Sequence, residues 1–121
     1  MTRILLVEDN ADAREALRAL LELDGYEVHA AADGTEGVDL ARTKTPDVAL
    51  VDIGLPGFDG YEVARRMRQL TAPPRVMIAL TGYSEPEDRQ RAKDAGFAAH
   101  LVKPVDPDQL AQLLATLDVR G

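Results

Sequence analysis

The sequence predicts an α/β fold of the doubly wound type, in which a parallel sheet of five strands carries helices on both faces. Apolar runs alternate five times with amphipathic helical stretches along the chain, which is typical of repeated βα units. Three of these runs are almost continuously apolar, as strands covered on both faces should be. A length of 121 residues suits one hydrophobic core, so we expect a single domain over residues 1–121.

The predicted strands are short apolar segments bounded by turn residues. The second of them is weaker and more polar than the others, which places it at an edge of the sheet. The five predicted strands lie near residues 3–7, 27–31, 47–51, 76–80 and 98–102.

The first predicted helix runs from about Ala11 to Leu23 and is ended by Asp24 and Gly25. Its expected apolar stripe consists of Ala16, Leu17, Leu20, Leu21 and Leu23. Short polar side chains are positioned to cap the helices at their N-termini, and in chain order these are Asn10, Asp33, Asp59, Ser84 and Asp106. Residues 84–87 also match a capping box, and Pro107 occupies a first-turn position. Pro73 and Pro74 are expected to stop the third helix, and residues 94–96 to end the fourth.

Composition narrows the class of partner. The formal net charge is −7, which disfavours direct binding of nucleic acid or of an anionic membrane surface and favours a site that recruits a cation. No run is long and apolar enough to span a bilayer, the first residues do not resemble a secretory signal, and the chain has no cysteine. The cytoplasm is therefore the expected compartment.

Polar residues follow four of the predicted strands at the point where each strand ends. Glu8 and Asp9 come after the first strand, Asp52 after the third, Thr81 after the fourth and Lys103 after the fifth. Because the carboxyl ends of parallel strands meet at one edge of a sheet, we expect these side chains to lie close together.

This set of residues has a definite chemistry. Asp52 is the expected nucleophile, because a carboxylate can accept a phosphoryl group when the charge of that group is neutralised and its geometry is fixed. Mg²⁺ prefers oxygen ligands and takes few protein carboxylates. We expect Asp9 and Asp52 as direct ligands, Glu8 as a ligand through water, and the backbone carbonyl of Gly54 to complete the protein's share. Without a cation, like-charge repulsion should raise the pKa of at least one acid.

Two further residues complete the expected site. Lys103 can pair with an acid at rest and with a phosphoryl oxygen afterwards, and the Thr81 hydroxyl can donate a hydrogen bond to another phosphoryl oxygen. No general base is required, because an ionised carboxylate attacks directly.

Taken together, the strand-end residues and the loop of residues 55–60 resemble the receiver domain of bacterial two-component response regulators over essentially the whole chain. The resemblance implies a flavodoxin-like (βα)₅ fold with strand order 2-1-3-4-5. It also implies that a histidine kinase or a histidine phosphotransfer protein donates a phosphoryl group to Asp52, with Mg²⁺ as cofactor. The family's lysine is usually followed by a cis proline, so Pro104 is expected to be cis.

The resemblance assigns roles around the phosphoryl group as well. Thr81 should move toward it and bias the surface formed by the fourth helix, the fifth strand and the fifth helix. Gly54 and Tyr83 occupy positions that flank the phosphoryl group and influence its lifetime. His100 stands where the family commonly has a tyrosine or phenylalanine switch; it can act as a switch whose movement depends on pH, or it can be a partly exposed strand histidine without a special role.

Segments near residues 80–89 and 100–106 look most like receivers fused to hybrid sensor histidine kinases, which makes a fused kinase domain a possible partner. We expect a monomer or a weak homodimer, with no enzymatic activity beyond self-phosphorylation and autodephosphorylation.

Three other functions fit the sequence less well. A flavodoxin-like cofactor binder would need a nest of backbone donors after the first strand, but that loop is acidic. A phosphatase with an aspartyl intermediate would carry a second carboxylate two residues after Asp52, where this chain has Gly54. A pseudo-receiver that only docks proteins would not need all five strand-end residues.

Overall fold

The computed structural model describes residues 2–55, 57, 59–82 and 86–117. Five strands and five helices alternate in these ranges: β1 (Arg3–Val7), α1 (Ala11–Leu23), β2 (Glu27–Ala31), α2 (Gly34–Lys44), β3 (Val48–Asp52), α3 (Gly60–Arg68), β4 (Val76–Thr81), α4 (Pro86–Ala95), β5 (Ala99–Val102) and α5 (Pro107–Thr116).

All strand pairings are parallel, and the strand order is β2-β1-β3-β4-β5. This confirms the predicted fold, including the position of β2 at an edge. β1 lies between β2 and β3, so the first connection leads from β1 to the edge strand β2, and the second leads back across β1 to β3. Because the direction of the crossovers reverses there, the helices cover both faces of the sheet.

The alternating side chains of the strands divide the core into two layers. One layer packs against α2, α3 and α4 and includes Leu5, Val51 and Met67, each with no exposed surface. The other packs against α1 and α5 and includes Leu21 and Leu114, each 1% exposed. Burial of both sheet faces explains why the central strands are apolar throughout.

The predicted N-caps form within the described part of the chain. In each case a side-chain oxygen accepts a hydrogen bond from a backbone N–H in the first turn of the helix, which satisfies one of the free donors there. The pairs are Asn10 with Ala13 at 2.9 Å, Asp33 with Glu36 at 2.8 Å, Asp59 with Glu62 at 3.1 Å, and Asp106 with Asp108 at 2.9 Å. The predicted cap Ser84 and most of its capping box lie outside the described residues.

The apolar stripe of α1 is narrower than predicted. Leu17, Leu20 and Leu21 pack on the core, but Ala16 is exposed and Leu23 is 85% exposed. At about 100° of rotation per residue, Ala16 and Leu23 both project roughly 100–120° away from Leu17, so they miss the sheet. The prediction was wrong for these two residues.

The end of α3 was also mispredicted. The helix ends at Arg68, ahead of Pro73 and Pro74. Its last turn tightens into i to i−3 hydrogen bonds, from Gln69 N–H to the Arg66 carbonyl and from Leu70 N–H to the Met67 carbonyl, both at 3.2 Å. The prolines follow a helix that has already ended.

Strand β3 is shifted by one residue from its predicted range. Asp47 lies outside the strand, and its carboxylate accepts a hydrogen bond from the Arg3 N–H at 2.9 Å. At the other end Asp52 belongs to the strand and pairs with Leu80 in β4. The pairing of β3 with β4 therefore includes Asp52, the residue that was expected to follow β3. Two other strands also differ from their predicted ranges by one residue at one end: β4 extends to Thr81, and β5 begins at Ala99.

Candidate functional site

The carboxyl edge of the sheet gathers the polar strand-end residues. Asp52 and Thr81 are the last residues of β3 and β4, while Glu8 follows β1 and Lys103 follows β5. Glu8, Asp52 and Thr81 are the buried polar or charged residues among those described, at 1%, 5% and 6% exposed. The edge thus places two carboxylates and a hydroxyl out of bulk water.

Lys103 bridges the two buried acids. Its Nζ donates to Oε1 and Oε2 of Glu8 at 3.1 and 2.9 Å, and to Oδ2 of Asp52 at 2.9 Å. Since the donor in all three bonds is the charged lysine ammonium, they are stronger than hydrogen bonds between neutral groups. The lysine therefore holds the two acids together and supplies one positive charge to the pair.

A third acid completes the cluster. One carboxylate oxygen each from Glu8, Asp9 and Asp52 lies within 4.8 Å of the other two, and Asp9 is exposed. Three oxygens at this separation, one of them open to solvent, suit a hard divalent cation that retains several waters.

The two buried carboxylates differ in how readily they ionise. Burial raises the pKa of Glu8 above its ordinary value; the Lys103 hydrogen bond opposes this, and the neighbouring Asp52 adds to it. Burial also disfavours ionised Asp52, but hydrogen bonds from Lys103 and from the Gly54 N–H outweigh it, so the pKa of Asp52 lies below its ordinary value. Burial disfavours the ammonium of Lys103 as well, yet its bonds to Asp52 and Glu8 raise the pKa of the lysine. Asp52 is thus an ionised carboxylate at neutral pH.

Two glycines shape the backbone around Asp52. The N–H of Gly54 donates to Oδ1 of Asp52 at 2.9 Å, which leaves Oδ2 to Lys103. Gly60, the first residue of α3, lies against the backbone of β3: a Cβ there would be 2.5 Å from the Asp52 carbonyl oxygen and 2.7 Å from the Ile53 Cα. The need for glycine at position 60 was not recognised in the sequence, because a helix N-terminus accepts most residues.

Thr81 and His100 face the same small cavity. Both line a space of about 10 Å³, together with Tyr61 from α3, which is room for at most one water molecule. The Thr81 carbonyl accepts a hydrogen bond from the Lys103 N–H at 2.8 Å, so the ends of β4 and β5 are joined beside the acidic cluster. His100 is half-buried there.

A contact between α3 and α4 was also missed. The Arg91 guanidinium lies 4.2 Å from the centre of the Tyr61 ring and 3.7 Å from a carboxylate oxygen of Asp59. No local pattern indicates it, because the two helices meet only after the chain has folded around the sheet.

Tyr83, expected to flank the phosphoryl group, lies outside the described residues. The Lys103–Pro104 peptide bond is cis.

Among the helices of the described ranges, none combines the length and the apolar character that crossing a lipid bilayer demands.

The family model described as "Response regulator receiver domain" matches residues 4–115. Sporulation initiation phosphotransferase F of Bacillus subtilis is 34% identical over 108 residues, covering 89% of this chain and 86% of that protein.

Two solved structures share the fold closely. A receiver domain protein described as CheY-like, from Methanospirillum hungatei JF-1, superimposes with a TM-score of 0.87 at 34% identity, covering 98% of this chain and 94% of that one. The receiver domain of sensor histidine kinase PA1611 from Pseudomonas aeruginosa PAO1, solved with magnesium coordinated in its active-site cleft, superimposes with a TM-score of 0.86 at 35% identity, and 95% of each chain is covered. The chain therefore belongs to the response regulator receiver family of two-component signalling systems.

Proposed function

We propose that the chain is a phosphorylation-dependent signalling switch, a single receiver domain spanning residues 1–121, in which Asp52 accepts a phosphoryl group from a phosphohistidine donor. The observation that carries this proposal is the environment of Asp52. Its carboxylate is ionised, ends a central strand and lies 2.9 Å from the Lys103 ammonium. A carboxylate in this setting can act as a nucleophile without a general base.

The acidic cluster fits Mg²⁺ by its donor set, which consists of carboxylate oxygens with one side open to solvent. Asp9 and Asp52 would hold the ion directly, Glu8 through water, and Gly54 through its backbone carbonyl. When bound, the ion would supply positive charge that offsets the negative charge of the phosphoryl oxygens, and it would restrict the orientation of the phosphoryl group.

The protein's own residues account for the transfer. An oxygen of Asp52 forms a bond to phosphorus as the bond from phosphorus to the donor imidazole nitrogen breaks. That nitrogen keeps the electron pair of the broken bond, and because the phosphohistidine reacts with a proton on its other ring nitrogen, the imidazole leaves as the neutral base. Lys103 then donates to a phosphoryl oxygen in place of its bond to Asp52, and the Thr81 hydroxyl donates to another. Hydrolysis by water returns inorganic phosphate and the free carboxylate.

A groove beside the site supports docking of the donor protein, a histidine kinase or a histidine phosphotransfer protein. The groove has a volume of about 310 Å³ and runs between α1 and the segment that joins β5 to α5, with Ala16, Leu20 and Val105 in its lining. Its lining also includes Glu8 and Lys103, so a histidine carried on a partner seated there would reach the acidic site. The exposure of Ala16, which the sequence did not predict, leaves this groove open.

Phosphorylation adds nearly two negative charges next to Thr81 and Lys103. Thr81 moves toward the phosphoryl group, His100 follows into the space that Thr81 leaves, and the surface of α4, β5 and α5 shifts to a conformation that partners recognise. A complete reversal of the population from 1:99 to 99:1 would require about 5.5 kcal/mol of differential interaction, so a partial shift is expected.

The wider setting follows from composition and resemblance. We propose a cytoplasmic domain, monomeric or weakly dimeric, that signals through another protein or through a fused kinase domain of the hybrid type. A net charge of −7 argues against direct contact with nucleic acid or an anionic membrane.

The test is to incubate the domain with Mg²⁺ and either acetyl phosphate or beryllofluoride, and to detect the adduct by intact mass spectrometry or by ¹⁹F NMR. We expect an adduct in the wild type and none in Asp52→Asn. Absence of an adduct in the wild type under both conditions would overturn the proposal and favour a domain that only docks proteins.

A further inference from the structure

The backbone of Glu8 is held from both sides. Its N–H donates to the Ala31 carbonyl at the end of β2, at 3.0 Å. Its carbonyl oxygen accepts a hydrogen bond from Nη1 of Arg14, at 2.9 Å. Arg14 is the fourth residue of α1, is half-buried, and is itself bonded through its N–H to the Asn10 carbonyl at 2.9 Å.

The position of this carbonyl explains why it needs a side-chain donor. The ladders that join β1 to β2 and β3 both end at Val7, so the next carbonyl lies beyond the sheet. Glu8 is only 1% exposed, and a buried carbonyl without a partner is costly. The guanidinium of Arg14 reaches back from the first turn of α1 and supplies the missing donor.

This carbonyl belongs to the peptide that joins Glu8 to Asp9. Fixing the plane of that peptide fixes the two Cα atoms from which both carboxylates extend. We propose that Arg14 is a positioning residue of the acidic site: it holds the Glu8–Asp9 peptide so that both carboxylates face Asp52 at a separation that suits Mg²⁺. The inference rests on the proposed function, and it assigns Arg14 no contact with the ion or the phosphoryl group.

A purely electrostatic role and a positioning role predict opposite changes in Mg²⁺ affinity when Arg14 is replaced. Removing a positive charge near an acidic site should strengthen the binding of a cation. Releasing the peptide that orients two ligands should weaken it, as loss of outer partners does at other metal sites. The sign of the change in Mg²⁺ affinity therefore separates a positioning role from a purely electrostatic one.

The experiment compares Arg14→Met with Arg18→Met as the matched control. Arg18 lies one turn further along α1, is also partly exposed, and pairs with Glu22 at 3.1 Å. Mg²⁺ binding is followed by ¹H–¹⁵N NMR of the Asp9 and Asp52 amides, with calorimetry as the second readout, so no phosphorylation activity enters the measurement.

We expect Arg14→Met to bind Mg²⁺ about tenfold more weakly than the wild type, and Arg18→Met to stay within about twofold. Arg14→Lys keeps a donor and a charge, so it should recover most of the affinity. Unchanged or stronger Mg²⁺ binding in Arg14→Met would overturn the inference, as would an equal loss in Arg18→Met.

Folding is checked by the thermal unfolding of each variant without Mg²⁺, since mere destabilisation lowers the midpoint without changing the affinity of the folded fraction. If Arg14→Met does not fold, Arg14→Gln replaces it, because the Gln amide is too short to reach the Glu8 carbonyl. Arg14→Gln should also bind Mg²⁺ about tenfold more weakly than the wild type. Unchanged or stronger binding in Arg14→Gln, or an equal loss in Arg18→Met, would overturn the inference. The adduct test on wild-type Asp52 is independent: it can succeed while the role of Arg14 fails.

Discussion

Asp52 and Lys103 are separated by 51 positions in the chain, yet the ammonium nitrogen of Lys103 lies 2.9 Å from Oδ2 of Asp52. Their strands are not neighbours, because β4 lies between β3 and β5. The long lysine side chain crosses the end of β4 to reach the carboxylate, and the same nitrogen also bonds Glu8. Several consequences of this bridge can be measured without a partner protein.

Replacing Lys103 by methionine should destabilise the domain when Mg²⁺ is absent. The change leaves two buried carboxylates without their cation, and we expect a loss of about 2 kcal/mol in the free energy of unfolding, less than the roughly 3–5 kcal/mol of a fully buried pair. Urea unfolding with and without Mg²⁺ measures it. Saturating Mg²⁺ should stabilise Lys103→Met more than it stabilises the wild type, because the cation restores the missing positive charge.

The matched control for this variant is Lys93→Met on α4, where the lysine is exposed. Its free energy of unfolding should stay within about 0.5 kcal/mol of the wild type. Equal losses in the two variants would mean that the bridge contributes nothing specific.

Glu8→Gln should be more stable than the wild type at neutral pH in the absence of Mg²⁺. The pKa of Glu8 in the folded protein is raised above its ordinary value of 4.5, chiefly by burial, so the folded state binds this proton more tightly than the unfolded chain does. The stability that Glu8 contributes is therefore fully present below pH 4.5 and is lost as the pH rises through the folded pKa. Glutamine is neutral throughout and avoids this loss.

The measurement is chemical unfolding of both proteins across the pH range. The difference in the free energy of unfolding should be smallest below pH 4.5 and should grow in favour of Glu8→Gln above it. A difference that is constant with pH, or that favours the wild type at neutral pH, would contradict the assignment of a raised pKa.

Gly60→Ala should disturb the backbone that carries Asp52. The added methyl group would lie 2.5 Å from the Asp52 carbonyl oxygen, so α3 has to move away from β3. We expect a cost of about 2 kcal/mol in the free energy of unfolding, within the range for overpacked sites. Gly82→Ala is the control, since nothing lies within 4 Å of a Cβ there, and thermal unfolding should separate the two variants. Wild-type stability in Gly60→Ala would show that the helix accommodates the methyl group.

His100→Ala should accept the phosphoryl group or beryllofluoride normally but transmit it poorly. His100 lines the cavity next to Thr81, so its loss removes the side chain expected to follow Thr81 when that residue moves. NMR of the beryllofluoride adduct should show smaller shifts in residues 89–95 and in β5 than the wild type shows. Val102→Ala, at an exposed position of the same strand, is the control. Shifts of wild-type size in His100→Ala would support the alternative of a histidine without a special role.

Much of this architecture was predictable from local pattern. The pattern of apolar residues located the five strands and the first helix, because a strand that is buried on both faces and a helix that is buried on one leave different signatures in the chain. The other helices were placed by their capping and breaking residues. The strand-end acids were expected to converge for a geometric reason, since parallel strands bring their carboxyl ends to one edge. The caps followed from the chemistry of short polar side chains at helix starts.

The differences between prediction and structure arise where a residue's environment is built by distant parts of the chain. The exposure of Leu23 depends on how α1 is rotated against the sheet, and the extension of β3 through Asp52 depends on the length of β4 beside it. Arg14 and Gly60 lie in helices that read as ordinary amphipathic segments. Arg14 is important because it donates to a carbonyl beyond the end of β1, and Gly60 is important because the backbone at the end of β3 lies too close for a side chain.

The amino-acid order alone therefore specified the folding pattern and the set of charged groups at one edge, because periodicity and strand direction are local properties. Packing decided how those groups behave. Glu8 and Asp52 are both carboxylates at the ends of apolar strands, yet the pKa of one is raised and that of the other is lowered. Both acids are buried and both accept a hydrogen bond from Lys103, but the Gly54 N–H also lowers the pKa of Asp52, whereas the neighbouring Asp52 raises that of Glu8. The burial and the approach of the two acids to each other exist only once the five strands are assembled.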